Sequence, residues 1–139
     1  MFDENSGYIS VVRGGLPAWQ RRRISAHIDA NLGGQLRIRD MARKLGYSCS
    51  HFSRSFRVTF GIPPCRYVMR RRIELAQTLM LTTPTNLSEI AVACGMSDQS
   101  HLSRVFRRFV GDTPHAWRRR GLAAAAPDVC HAVPRRSAS

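Results

Sequence analysis

The sequence has little acid, almost no lysine and no long apolar run. Only 9 of its 139 residues are Asp or Glu against 22 Lys and Arg, a formal net charge of +13. An excess of that size gives a long-range field that attracts polyanions and disfavours a small neutral substrate, without choosing among nucleic acid, anionic membrane and acidic protein. Lys44 is the one lysine and the other 21 basic residues are arginine. Guanidinium suits bidentate contact with phosphate or guanine, but a uniform arginine excess also follows from genome composition, so the ratio weighs little. No stretch approaches the roughly 18 consecutive apolar residues of a membrane span, and the opening MFDENSGYIS lacks a secretory basic-then-apolar pattern. The expected location is the cytoplasm, with no membrane partner.

The four cysteines, Cys49, Cys65, Cys94 and Cys130, form no CxxC pair and stand in no Cys/His cluster at ligand spacing. A structural zinc is therefore not expected, and free buried thiols are. Redox sensing by Cys49 or Cys94 has no motif behind it. An enzyme also lacks support: there is no Ser/His/Asp or Cys/His constellation, no phosphate-binding Gly-rich loop and no metal-ligand cluster, and the carboxylates are scattered. No cofactor is expected. With 43% hydrophobic residues, aromatics included, the chain can bury roughly two thirds of its unfolded surface as one domain or two very small lobes.

What the sequence does contain is an internal repeat. One copy runs Asp40-Met-Ala-Arg-Lys-Leu-Gly46, then His51-Phe-Ser-Arg-Ser-Phe-Arg57, and closes on Gly61-Ile-Pro-Pro64. The other runs Glu89-Ile-Ala-Val-Ala-Cys-Gly95, then His101-Leu-Ser-Arg-Val-Phe-Arg107, and closes on Gly111-Asp-Thr-Pro114. The register offset is 49 before the gap and 50 after it, so the second copy carries one extra residue between Met96 and Ser100. A slip there falls where a turn is expected.

Each copy reads as helix, turn, helix. Met41, Ala42 and Leu45 share one helical face, Gly46 can take the left-handed conformation that ends a helix, and Phe52 and Phe56, with Thr59 and Phe60 beyond, form the next apolar stripe. Ile90, Ala91, Cys94 and Gly95, then Leu102, Phe106, Phe109 and Val110, repeat the pattern. This is the helix-turn-helix arrangement, whose second helix can enter a DNA major groove. Ser48 and Ser97 stand where N-caps of the two second helices are expected, Asn86 with Glu89 forms a capping pattern, and the matching position in the first copy, Arg37, caps poorly. Met69, Ile73, Ala76 and Met80, beside Leu75 and Leu79, predict one continuous helix between Pro64 and Thr82. At about 1.5 Å per residue it would span roughly 25 Å, suited to motifs on adjacent major-groove segments about 34 Å apart. Trp19, Ile24, Ile28 and Leu32 predict a leading helix ending at Gly33-Gly34, and Trp117 a short closing helix after Pro114.

At these residues the sequence resembles a known family. Ile90-Ala91, the run Cys94 to Phe109, Gly111-Asp-Thr-Pro114 and Trp117-Arg118 are similar to the signature of the AraC/XylS family of bacterial transcription regulators. Ala42, Leu45-Gly46-Tyr47-Ser48 and Phe52 to Phe56 resemble that family's first helix-turn-helix, and the likeness covers about residues 17 to 120. The resemblance implies an all-α fold of about seven helices, with two helix-turn-helix lobes joined by a long central helix. It implies two recognition helices in successive major grooves, and RNA polymerase as a partner in activation, the family's commoner mode. The expected division is a flexible segment or linker remnant over 1–15, an AraC-type DNA-binding domain over 16–121 and a disordered tail over 122–139. Within the domain, the lobes are expected over about 17–63 and 83–121, with the linking helix over 64–82. The chain is then either a stand-alone regulator or the DNA-binding part of a longer protein with an effector or dimerisation domain.

Positions of each second helix outside the apolar stripe face outward. Ser50, Ser53, Arg54, Gln99, Ser100, Ser103 and Arg104 are the base-reading candidates: Arg54 and Arg104 for guanine O6 and N7, Gln99 for adenine N6 and N7, the serines for adaptable contacts. Ser48, Arg57, Ser97, Arg107 and Arg108 are the phosphate candidates. Against this stands the reading that Arg54 and Arg104 pair within the protein or touch only phosphate. His51 and His101 are expected in packing or phosphate contact. The arginine triplets at 21–23, 70–72 and 118–120 are open between solvated helix faces, with Arg70 and Arg71 near Glu74, and contact with the DNA backbone. The leading function is a sequence-specific regulator binding double-stranded DNA, nucleoid-associated in the cytoplasm. The alternative is a non-specific basic architectural or RNA-binding protein.

Overall fold

Two short turns, each built around a left-handed glycine, set the architecture. The structure, a computed structural model, describes residues 14–125. Among these there are seven helices and no strand: α1 (Ala18–Ala30), α2 (Ile38–Leu45), α3 (Cys49–Phe60), α4 (Pro64–Thr82), α5 (Leu87–Ala93), α6 (Gln99–Val110) and α7 (Pro114–Ala125). The chain divides into two compact units between Arg72 and Ile73, inside the continuous helix α4.

In the first unit α2 ends at Gly46, whose φ of +79° is costly for any residue with a Cβ. The Gly46 N–H donates to the Arg43 carbonyl at 3.0 Å and the Tyr47 N–H to the Ala42 carbonyl at 2.9 Å, so the last carbonyls of α2 are satisfied as the chain reverses. Ser48 then caps α3, its Oγ accepting from the His51 N–H at 3.2 Å. Across this turn α2 packs on α3 and buries Met41, Ala42 and Leu45, while Phe52 and Phe56 are fully buried on the facing side. Tyr67 of α4 meets the Phe56 ring edge-on at 5.3 Å. Ile24, Ile28 and Leu32 complete the core.

The second unit repeats this at matching positions. Gly95 has a φ of +80°, its N–H donates to the Val92 carbonyl at 3.0 Å, and the Met96 N–H donates to the Ala91 carbonyl at 2.8 Å. Ile90, Ala91 and Cys94 are buried on one side of the turn, Leu102 and Phe106 on the other. Trp117 of α7 meets Phe106 edge-on at 5.7 Å, as Tyr67 meets Phe56. Here Ile73, Ala76 and Met80, from the C-terminal half of α4, supply the remaining buried face. Arg118 ties α7 to the end of that helix, with Nε donating to the Met80 carbonyl at 2.9 Å and an Nη2 hydrogen to the Thr83 carbonyl at 2.7 Å.

Five expectations need correction. The N-cap of α6 is Asp98, whose carboxylate accepts from the His101 N–H at 2.8 Å, and not Ser97. The reason lies in the register: the cap belongs after the slip, where the offset of 50 carries Ser48 onto Asp98, and Ser97 is the inserted turn residue. Helix α1 stops at Ala30, short of Gly33-Gly34, because the Asn31 side chain donates to the His27 carbonyl at 2.8 Å and its N–H turns back to Ile28 at 3.0 Å. Trp19 is 56% exposed and off the buried face, which runs Leu16, Gln20, Ile24, Ile28, Leu32 at intervals of four. Helix α7 runs on to Ala125, past the expected boundary at Leu122, through a run of alanines, the strongest helix formers. Of the thiols, Cys94 is buried as expected, Cys49 and Cys65 are exposed against expectation, and Cys130 lies outside the described residues.

Asp98→Ala should lower stability by about 1 kcal/mol through loss of the cap, whereas Ser97→Ala should change it by less than about 0.5 kcal/mol, as read from urea unfolding. Arg118→Ala, which leaves two carbonyls without their charged donor, should cost about 1–3 kcal/mol, and the exposed neighbour Arg119→Ala much less.

Candidate nucleic-acid interface

Helices α3 and α6 each present a polar face because their opposite face is consumed by the core. In α3 the sequence Cys49-Ser-His-Phe-Ser-Arg-Ser-Phe-Arg57 puts Phe52, Ser55 and Phe56 inward. Ser50, Arg54 and Arg57 are exposed and Ser53 is half-buried. In α6 Leu102, Val105 and Phe106 point inward, Gln99, Ser100, Arg104, Arg107 and Arg108 are exposed, and Ser103 is half-buried. Ser55 and Val105, not singled out in the sequence, occupy equivalent inward positions; their place one residue before each phenylalanine was the available signal. Ser48 and Ser97 are both exposed, the first as a cap and the second in the turn. Apart from Ser48 and Ser97, which precede the helices, each group of candidates is thus brought together on its own helix.

Most of the charge on these faces is unpaired within the described residues. Among the described residues, the guanidinium groups of Arg54, Arg57, Arg104 and Arg108 make no hydrogen bond or ion pair within the protein. Arg107 contributes to the field around Asp112, with Arg120 the closer partner. The Arg120 hydrogen bond, helped by the Thr113 backbone N–H, holds the Asp112 carboxyl below the usual carboxylate range. Burial, reinforced by Lys44 and opposed by Asp40, holds His27 below the ordinary imidazole value.

The local supports of the two helices differ. In the first unit the Tyr47 hydroxyl donates to the buried Gln20 amide oxygen at 2.5 Å, and the Tyr47 ring stacks on His51 at 4.5 Å between centroids. In the second unit Met96 fills the Tyr47 position and is buried, His101 Nδ1 accepts from the Ser97 N–H at 3.3 Å, and the Ser88 hydroxyl donates to Gln99 Oε1 at 3.1 Å. Both histidines therefore support the turns next to them.

The arginine triplets divide. Arg71 Nε lies 2.9 Å from Asp29 Oδ1, Arg72 Nη2 donates to the Gly34 carbonyl at 2.7 Å, and Arg70 lies over the Tyr67 ring at 5.7 Å. Arg118 bonds two carbonyls and Arg120 pairs with Asp112. Arg21, Arg22, Arg23 and Arg119 are exposed. No group of three or more His, Cys, Asp and Glu among the described residues could hold a metal, and no described helix is long and apolar enough to cross a membrane.

Comparison with known proteins places this geometry. The helix-turn-helix domain family matches residues 19–120. The transcriptional activator AarP of Providencia stuartii is 32% identical over 91 residues, covering 66% of this chain and 67% of AarP. Three other curated relatives match over only 33–37% of their own length. Among solved structures, an AraC-type regulator from Chromobacterium violaceum superposes with a TM-score of 0.70 at 26% identity, covering 80% of this chain and 96% of that one. The DNA-binding domain of AdpA, solved with a target DNA, gives a TM-score of 0.71 at 28% identity, covering 77% and 96%. With the repeat, the seven helices and these matches agreeing, the chain belongs to the AraC/XylS family, as an AraC-type domain with two helix-turn-helix motifs.

Proposed function

We propose that the chain is a sequence-specific transcription regulator that seats α3 and α6 in successive major grooves of double-stranded DNA. The observation that carries this is the repeated pairing of a buried aromatic face with an exposed polar and arginine-bearing face on the second helix of each motif. The AdpA domain, of the same fold, was solved on its target DNA, which supports a duplex as the ligand. In this reading Arg54, Arg104 and Gln99 meet base edges, with Ser50, Ser53, Ser100 and Ser103 in adaptable contacts. Arg57, Arg107, Arg108, Ser48 and Ser97 meet phosphates. Activation through RNA polymerase in the bacterial cytoplasm is the proposed mode; AarP and a Yersinia enterocolitica relative are named as activators.

Binding titrations with single variants test the division of roles. Arg104→Ala should lose about 1–3 kcal/mol on the preferred duplex and relax discrimination at one base pair. Arg108→Ala should weaken every duplex alike and reduce the slope of log affinity against log salt by about 0.9. Equal loss on all duplexes for both variants would reassign Arg104 to phosphate. Binding indifferent to salt and to sequence would remove the proposal.

A further inference from the structure

The contact between Ser88 and Gln99 links the two helices of the second motif through side chains. Ser88 is the second residue of α5, Gln99 the first of α6, and both are exposed. The Ser88 hydroxyl donates to Gln99 Oε1 at 3.1 Å. A glutamine amide has one acceptor end and one donor end, and engaging the oxygen fixes which end faces away from the protein. At the first position of a recognition helix that choice bears on base preference, because base edges in the major groove differ in their order of donors and acceptors.

The first motif has no such pair. At the repeat offsets Ser88 corresponds to Arg39 and Gln99 to Cys49. The interaction is therefore a property of the second motif alone, and it lies outside the apolar seam common to both. Neither side chain caps a helix: Asn86 caps α5 and Asp98 caps α6. The contact is therefore not a helix cap, and what it fixes directly is the orientation of the Gln99 amide.

Resting on the DNA-binding reading above, we propose that Ser88 is a positioning residue for Gln99. Its hydroxyl holds the amide oxygen back toward α5, so that the two Nε2 hydrogens are what α6 offers to the base edge. Two donors fit an edge of two acceptors, which in the major groove is guanine O6 and N7. Adenine, expected from the sequence, offers N7 beside the N6 donor and is read with Nε2 on N7 and Oε1 on N6, a pose that needs Oε1 directed at the base and not back at Ser88. Ser88 thus turns Gln99 from an adenine reader into a guanine reader without touching DNA itself.

The test uses the full chain, with the preferred duplex varied through all four base pairs at each position, for wild type, Ser88→Ala, Ser88→Thr and Gln99→Ala. Thermal melting establishes that each variant is folded. Wild type should prefer guanine over adenine at one base pair by about tenfold. Ser88→Ala should abolish or reverse that preference while leaving the other positions and the salt dependence unchanged. Ser88→Thr, which keeps the hydroxyl, should restore it, and Gln99→Ala should flatten that position alone. A guanine preference that survives Ser88→Ala, a wild-type preference for adenine there, or a Gln99→Ala variant with unchanged discrimination would each overturn the proposal. Loss of discrimination at every position in wild type would instead overturn the DNA-reading function on which it rests.

Discussion

The burial of Phe52 and Phe56 in one motif, and of Leu102 and Phe106 in the other, is the constraint on which the rest depends. Each recognition helix can hold arginines and serines toward solvent only while its opposite face is locked by apolar contacts, since an isolated 12-residue helix is marginal in water. The turns serve the same end. Gly46 and Gly95 let the chain reverse within a few residues, and the bonds from Tyr47 to Ala42 and from Met96 to Ala91 satisfy carbonyls that the reversal would otherwise strand. The aromatic edges of Tyr67 and Trp117 then close each core from the following helix.

The two motifs share a backbone plan and differ where side chains support the outward polar face. Tyr47 anchors the first turn through Gln20 and stacks on His51; Met96 occupies the same place in the second and only fills space. The extra residue of the second copy, Ser97, lets Asp98 take the cap and leaves Ser97 to bond the His101 ring. Divergence of this kind, with the apolar seam kept, lets two copies of one motif present different chemistry to their ligand.

Much of this was legible in the sequence because local periodicity and turn chemistry carry it. The spacing of Met41, Ala42 and Leu45 against Phe52 and Phe56, and the run through Ile73, Ala76 and Met80, translated directly into buried faces. What was not legible depends on partners distant along the chain. Arg71 meets Asp29 across 42 residues, Arg118 meets Met80 across 38, and Tyr47 meets Gln20 across 27, so no window along the sequence distinguishes them from solvated side chains. For the same reason hydrophobicity favours Trp19 over Gln20 for the core, whereas the hydroxyl of Tyr47 selects Gln20. The cap at Asp98, by contrast, is written in the repeat, since the offset of 50 carries Ser48 onto it.

The large positive charge, at first a statement about any polyanion, is now divided by structure. Arg71, Arg72, Arg118 and Arg120 are committed to protein groups, while Arg54, Arg57, Arg104 and Arg108 stand on the repeated faces with no described partner. The proposed function adds to bulk attraction the reading of sequence by these two helices. Selection of bound sequences from a random duplex library at a stated salt concentration tests it most directly. Two separated blocks of preferred bases, unlike each other and about one helical turn apart, are the predicted result. A pool that stays random while still binding tightly at low salt would contradict the account.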